Sequence, residues 1–170
     1  MEVPIYSNIR DDIELIETFL WDPEKGAPDI DFHLERMCKS AGNLRFKFEI
    51  RKIRDQVFKI KSEKRLRCRL TLSISGETNL STSILNPNPE AWTLLLSDSI
   101  LSSSDPWLLH KSSNRALYDT ERAKLPDGID EFIYLNERNE VCEGTITNIF
   151  VKKSGQWFTP PLSSGCLPGC

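Results

Sequence analysis

The stretch of sequence that decides the fold is Asn139-Glu-Val-Cys-Glu-Gly-Thr-Ile-Thr-Asn-Ile-Phe150. Residues Thr145 to Val151 are predicted to form a strand, which the polar turn Asn136 to Glu140 joins to another strand at Phe132 to Leu135. Taken alone, Glu143 is a carboxylate at the end of a surface strand. The local pattern therefore predicts two joined strands and assigns Glu143 no special chemistry.

The sequence before this stretch mixes strands with helices. Residues Asp12 to Trp21 are apolar enough to predict a strand buried on both faces. Apolar residues three or four positions apart predict two amphipathic helices, with Leu34, Met37, Ala41 and Leu44 in the first and Ile50, Ile53, Val57 and Ile60 in the second. Asp29 or Asp31 can cap the start of the first helix.

The remaining elements continue this mixture. Strict alternation of polar and apolar residues from Arg65 to Ile74 predicts a half-buried strand, and further strands are expected at Leu80 to Leu85 and Ala91 to Leu96. A helix is predicted from Asn114 to Lys124, and a short strand at Trp157 and Phe158. Strands and helices intermixed in this way indicate an α+β fold.

The best candidate for a linker is Ser102-Ser-Ser-Asp-Pro106, because it is rich in small polar residues and ends in proline. Elements of both kinds occur before and after it. We therefore predict two lobes, a small α+β N-terminal lobe over residues 1–100 and a second lobe over residues 107–170.

The composition excludes several classes of protein. The chain has 170 residues, a net charge of −3 and no apolar run long enough to cross a bilayer. Eleven basic residues lie between Leu44 and Arg69, but they have few aromatic neighbours, so nucleic-acid binding is not predicted. Five cysteines at irregular spacing favour a reducing cytoplasm over a disulfide framework. The two histidines, His33 and His110, lack the spaced partners of a metal site.

Longer motifs carry a resemblance to a known family. The order Glu143-Gly-Thr, then Asn148 and an aromatic residue, then Thr159-Pro-Pro161 and Leu167-Pro-Gly169 resembles the signature of class IV aminotransferases. These are the fold-type IV pyridoxal-phosphate enzymes, which include branched-chain and D-amino acid aminotransferases and aminodeoxychorismate lyase. The resemblance runs from about Leu15 to the last residue and is closest to the short, lyase-like branch.

Two upstream segments extend the resemblance. Glu17-Thr18 followed by His33-Leu-Glu-Arg-Met37 looks like the helix whose arginine binds the cofactor phosphate, and Lys111 with Arg115 looks like the cofactor-lysine segment of the lyases. The resemblance implies an α+β, two-lobed fold like that of D-amino acid aminotransferase. Its second lobe is expected to be truncated, because family chains continue past Leu-Pro-Gly into a phosphate-binding helix, whereas this sequence ends at Cys170.

The resemblance also implies a cofactor, pyridoxal 5'-phosphate, and a set of site residues. Lys111 would be the catalytic residue, forming the Schiff base with the cofactor and then acting as general base at the substrate Cα. The implied cofactor-binding residues are Arg36, Lys111, Glu143, Thr145, Ile146, Thr147, Leu167 and Cys170. Arg36 would bind the phosphate and Glu143 the pyridine nitrogen. Asn148 is interpreted as structural, and Arg115 and Tyr118 as residues that either orient the site or only cap and pack.

The implied function is elimination of pyruvate from an aminodeoxychorismate-type substrate, or transamination of a small amino acid. Branched-chain transaminases carry an Asn-Tyr pair where this chain has Arg115 and Ala116, which favours the lyase-like branch. The expected partners are a small amino-acid-type substrate and a second copy of the chain in a homodimer, with neither nucleic acid nor membrane. The alternative is a truncated, non-catalytic remnant of the fold that acts as an interaction module or is inactive.

Overall fold

The computed structural model describes residues 9–169, which divide into two units. Within the described part of the chain, the first unit comprises residues 9–87 together with 111–114, and the second comprises residues 88–110 and 115–169. Both units mix helices with β-sheet, as the α+β prediction requires. No helix in residues 9–169 is both long enough and apolar enough to span a bilayer.

The first unit is a three-stranded antiparallel sheet with two helices. Its elements are β1 (Glu14–Trp21), α1 (Ile30–Leu44), α2 (Ile50–Phe58), β2 (Leu66–Ser73) and β3 (Thr78–Ile84). The strand order is β1-β2-β3, and the register pairs Leu15 with Leu72 and Phe19 with Cys68. The segment 111–114 joins this sheet through a β-bridge between Leu15 and Ser112.

The two predicted helices of the first unit are confirmed, although α2 ends at Phe58 and Ile60, predicted as part of its apolar stripe, lies beyond it. The apolar stripe of α1, from Leu34 to Leu44, is buried, and in α2 the side chains of Ile53 and Val57 are buried. Asp29 is the N-cap residue of α1, but its side chain makes no capping hydrogen bond. The burial of one apolar face therefore stabilises α1 more than side-chain capping does.

The second unit contains a mixed sheet and a hairpin. Its elements are β4 (Leu94–Leu101), a 3₁₀ turn (Pro106–Leu109), α3 (Ala116–Arg122), β5 (Glu131–Asn136), β6 (Val141–Gly144), β7 (Val151–Lys153), β8 (Gln156–Phe158) and a second 3₁₀ turn (Leu162–Ser164). Strand β5 lies between β4, to which it is parallel, and β6, to which it is antiparallel. Strands β7 and β8 form a separate two-stranded sheet.

Three predictions for the second unit are corrected. The strand predicted over Thr145 to Val151 is wrong, because β6 ends at Gly144 and the chain then turns before β7 begins. The strand predicted from Ala91 begins only at Leu94 and continues to Leu101. The segment Ser102 to Pro106, predicted as a linker, lies inside the second unit, where the Ser103 amide donates to the Glu137 carboxylate over 2.9 Å.

The core of the second unit joins its sheet to the loop that follows Pro161. Leu101, Leu108, Tyr134, Cys142 and Cys166 form a buried cluster. Gly165 allows the loop to enter this cluster, because its φ is +83° and a β-carbon there would lie 2.9 Å from the Cα of Ser103.

Glu140 ties the same loop to the β5–β6 turn. Its carboxylate accepts hydrogen bonds from Arg138 Nη2 at 2.7 Å, Asn136 Nδ2 at 2.8 Å and the Ser164 hydroxyl at 3.0 Å. These donors, Arg138 first, lower the pKa of Glu140 from 4.5 to about 2. The carboxylate therefore stabilises the fold at pH values above 4.5, and this contribution is lost as the pH falls through about 2.

We expect Glu140→Gln to destabilise the protein at neutral pH and much less in acid. The difference in the free energy of unfolding between wild type and E140Q, measured by urea denaturation, should be largest at about pH 6 and should shrink towards pH 2, because the wild-type carboxylate becomes protonated there. A difference that is the same at every pH would show that the charge of Glu140 contributes nothing.

Candidate active site

In the first unit, the backbone around Lys111 is held against β1. The Lys111 carbonyl accepts a hydrogen bond from the Ile16 amide at 2.8 Å, and the Ser113 amide donates to the Glu14 carbonyl at 2.8 Å. The Ser113 hydroxyl accepts in turn from the Glu14 amide at 2.9 Å. Lys111 itself is half-buried. Its main chain is therefore positioned by strand pairing rather than by a helix.

The predicted phosphate arginine lies in a buried ion-pair cluster of the first unit. Arg36, on α1, donates through Nε and Nη2 to the two carboxylate oxygens of Glu17, with an Nε to Oε1 distance of 2.8 Å. His33 Nδ1 lies 2.7 Å from Glu17 Oε2, and Glu17 is only 1% exposed. This two-point pairing fixes the plane of the guanidinium. In the sequence, Glu17 stands out only as part of a motif, and its role as the partner of Arg36 is not predicted.

In the second unit, Glu143 is a buried carboxylate with a protein donor on each oxygen. It lies in β6, one residue before the end of the strand, and is 8% exposed. Oε1 accepts from the Tyr118 hydroxyl at 2.7 Å, and Oε2 accepts from the Leu167 amide at 2.8 Å. Two of the predicted site residues, Glu143 and Leu167, are thus in direct contact. The simple interpretation of Glu143 as a surface strand-end residue is wrong.

This unit contains a second buried carboxylate, Glu131, which the sequence motifs do not predict as a site residue. It is the first residue of β5 and is fully buried. Its oxygens accept hydrogen bonds from the turn after β6, from its own strand and from α3; the donors are the amides of Thr145, Ile146 and Phe132, the hydroxyls of Thr145 and Thr147, and Arg122 Nη1. These contacts replace the strand that was predicted from Thr145 onward.

The turn at residues 145–147 is shaped to fit this carboxylate. A β-carbon at Gly144 would lie 2.9 Å from Glu131 Cγ and would overlap the hydroxyl of Thr147. Only glycine allows such a close approach at this position. The amides of Thr145 and Ile146 both donate to Glu131 at 3.1 Å. These two amides belong to residues that the resemblance implies in cofactor binding, and they have an acceptor within the protein.

A signal for Glu131 was present in the sequence. It stands two residues before Ile133, and alternate residues of a strand point to the same face, so its side chain is directed to the buried side. The predicted strand began one residue too late, at Phe132, and this excluded Glu131. A carboxylate on the buried face of a strand needs partners, and a turn rich in threonine supplies them.

Helix α3 and the residue before it contact this site along one face. Arg115 Nη2 donates to the Thr145 carbonyl at 2.8 Å, and its guanidinium lies 5.6 Å from the centre of the Tyr118 ring. Arg122 Nη1 donates to the Thr145 hydroxyl at 3.0 Å. The question left open for Arg115 and Tyr118 is thus answered in part, because both contact residues of the candidate site.

Other candidate groups have structural surroundings. Asn148, interpreted as structural, donates through Nδ2 to the Leu167 carbonyl at 3.3 Å. Burial raises the pKa of the Cys142 thiol to about 11, which keeps it protonated and unreactive at neutral pH. Within residues 9–169, no group of three or more His, Cys, Asp or Glu side chains could hold a metal ion. Cys170, also predicted as a binding residue, lies outside the described residues.

The side chains of the two units include the donors and acceptors that pyridoxal phosphate requires. A primary amine, Lys111, can bind an aldehyde, and an arginine fixed in orientation, Arg36, can bind a phosphate. A buried carboxylate held on both oxygens, Glu143, can face a protonated ring nitrogen. The residues present therefore fit this cofactor in chemical type.

We expect Glu131→Gln to destabilise the protein by about 3 kcal/mol, because breaking a buried ion pair leaves its partners unsatisfied. Urea denaturation at pH 7 would measure the loss. Glu121→Gln is the matched control, since Glu121 also accepts two hydroxyls, from Ser97 and Ser99, but is only half-buried. Equal losses in E131Q and E121Q would contradict a central role for Glu131.

Comparison with known proteins gives the family. The family model of class IV aminotransferases matches residues 14–170. A crystal structure of a protein from Mesorhizobium loti, assigned as an amino-acid aminotransferase, is 36% identical with a TM-score of 0.87, covering 93% of this chain and 79% of its own. No curated protein sequence matches.

More distant structures show the same fold. A protein from Legionella pneumophila, assigned as a 4-amino-4-deoxychorismate lyase, is 21% identical with a TM-score of 0.73; the match covers 92% of this chain but only 65% of that one. A hypothetical aminotransferase from Mycobacterium tuberculosis, bound to α-ketoglutarate and PMP, is 19% identical with a TM-score of 0.77, over 99% of this chain and 68% of its own. Because the family model matches nearly the whole sequence, and a structure 36% identical shares its fold, the chain belongs to the class IV aminotransferase family.

Proposed function

We propose that this chain is a pyridoxal-phosphate-dependent enzyme that acts on a small amino-acid-type substrate, by elimination of pyruvate as in aminodeoxychorismate lyases or by transamination. The observation that carries the proposal is the Glu143 carboxylate, buried in the second unit and held by a donor on each oxygen. Membership of the family and the PMP bound in the M. tuberculosis neighbour support the choice of cofactor.

When bound, the cofactor supplies an electron sink that stabilises negative charge at the substrate Cα. Lys111 would bind the cofactor aldehyde covalently and, once the substrate amine has displaced it, accept the proton from Cα. A lysine suits both tasks, because its neutral amine is a nucleophile and a base. Strand pairing of residues 111–113 with β1 holds the main chain from which this side chain extends.

Glu143 would bind the protonated ring nitrogen. Hydrogen bonds from Tyr118 and from the Leu167 amide favour the charged form of the carboxylate, and this offsets the cost of burying it. A carboxylate that remains ionised keeps the ring nitrogen protonated.

The remaining proposed contacts hold the cofactor in place. Arg36 would bind the phosphate, with Glu17 fixing its orientation. Leu167 would pack against the ring, and the turn formed by Thr145, Ile146 and Thr147, held in shape by Glu131, would line the site. Cys170 would contribute a backbone amide. We further propose that the chain acts as a homodimer.

The first experiment is cofactor trapping. We expect purified protein mixed with pyridoxal phosphate to show a new absorbance band near the visible range, and borohydride reduction followed by peptide mapping to place the cofactor on the peptide that contains Lys111. Lys111→Ala should abolish the adduct. Lys124→Ala, which changes an exposed lysine just after α3, is the matched control and should retain it.

Each outcome decides between the candidate functions. An adduct on Lys111 supports the enzyme, and screening for pyruvate release against keto-acid release then separates lyase from transaminase. A folded protein that gives no band, or an adduct that persists in K111A, would contradict the proposal. The first of these results would favour a non-catalytic member of the family.

A further inference from the structure

The Tyr118 hydroxyl donates a hydrogen bond to Glu143, and the proposal above uses this bond only to favour the charged carboxylate. We propose that Tyr118 is a positioning residue that holds the Glu143 carboxylate in place for the ring nitrogen of the cofactor. The inference rests on the proposed function and adds to it a residue that determines how strongly the protein recognises that nitrogen. It is carried by the contact of 2.7 Å between the Tyr118 hydroxyl and Glu143 Oε1.

The ring of Tyr118 is fixed before it reaches Glu143. It meets the ring of Tyr134 edge-on, with 5.2 Å between centroids and an angle of 82°. The Arg115 guanidinium lies over its face, 5.6 Å from the centroid. A tyrosine has few rotatable bonds, and these two contacts restrict them. These contacts therefore fix the position of the hydroxyl that donates to Glu143.

The hydroxyl also remains a donor over the whole working pH range. Burial, followed by the nearby Glu143 carboxylate, raises the pKa of Tyr118 far above its ordinary value of 10.0. Glu143, in contrast, has a long side chain with several rotatable bonds. Without the hydroxyl, Oε1 would lose the Tyr118 donor, and the carboxylate could turn about the hydrogen bond that Oε2 accepts from the Leu167 amide.

Helix α3 and the residue before it place three side chains in series along the site. Arg115, Tyr118 and Arg122, which are three and four residues apart, share one helical face. They donate in turn to the Thr145 carbonyl, to Glu143 and to Glu131. Tyr118 is thus the member of this series that contacts the carboxylate proposed to bind the cofactor, whereas the two arginines hold the turn and its buried anchor.

The test compares two ligands that differ only at the ring nitrogen. The probes are pyridoxal phosphate and its analogue in which C–H replaces the ring nitrogen, and the readout is the dissociation constant from absorbance titration. We expect Tyr118→Phe to weaken binding of pyridoxal phosphate about tenfold, as expected for the loss of one hydrogen bond to a charged group. Binding of the analogue should change less than about twofold, because no nitrogen is present for Glu143 to recognise.

Tyr134→Phe is the matched control. Its ring belongs to the same cluster, but its buried hydroxyl lies beside Glu121 without reaching hydrogen-bond geometry, so its removal should change neither constant. A double variant, Tyr118→Phe with Glu143→Gln, should bind pyridoxal phosphate no more weakly than Glu143→Gln alone, since Tyr118 acts through Glu143.

Three results would overturn the inference. Equally weakened binding of both ligands by Y118F would assign Tyr118 a packing role. Unchanged binding of pyridoxal phosphate would assign Tyr118 no role in recognition. In both cases the proposed function would stand. If wild-type protein, shown to be folded, bound neither ligand, the proposed function and this inference would fail together. If Y118F does not fold, 3,5-difluorotyrosine can be placed at position 118, because it changes the donor strength of the hydroxyl at nearly the same side-chain shape. An unchanged preference between pyridoxal phosphate and its analogue in this variant would also overturn the inference.

Discussion

The interaction on which the second unit depends is the burial of the Glu131 carboxylate beneath the turn that follows β6. A fully buried carboxylate costs several kcal/mol unless donors surround it, and the turn at residues 145–147 supplies both amides and hydroxyls. This requirement ends β6 at Gly144, excludes a side chain at that glycine and directs the chain away from the sheet. Because β6 ends at Gly144, Glu143 lies one residue before the end of the strand.

The two carboxylates of this unit have different tasks, although they lie on neighbouring strands. Glu131 is saturated by protein donors and can only hold structure. Glu143 accepts from the Tyr118 hydroxyl and the Leu167 amide, and it is the carboxylate that we propose binds the ring nitrogen of the cofactor. The face of α3 that carries Tyr118 and Arg122 contacts both carboxylates.

In the first unit, a buried carboxylate is likewise satisfied by protein donors, and here the donor is a cation, Arg36. Glu17 lies on β1, on the face of the sheet that packs against α1, and its two oxygens hold Arg36 at both ends of the guanidinium fork. The pairing also satisfies the buried carboxylate, so neither group is left uncompensated. Residues 111–113 also pair with β1. The same strand therefore carries Glu17, the partner of Arg36, and the Ile16 amide that donates to the Lys111 carbonyl.

The sequence by itself determined the helices α1 and α2, the alternating strand β2 and the family, because periodicity and long motifs are local properties of the chain. It also identified Lys111, Arg36 and Glu143 as candidates through the resemblance. Only the tertiary structure decided that Glu131 anchors the turn, that Glu17 pairs with Arg36 and that Tyr118 reaches Glu143. The partners in these three contacts are 14 to 25 residues apart in sequence. Hydrogen bonds over such separations depend on how strands and helices pack, and no pattern within a single element encodes them.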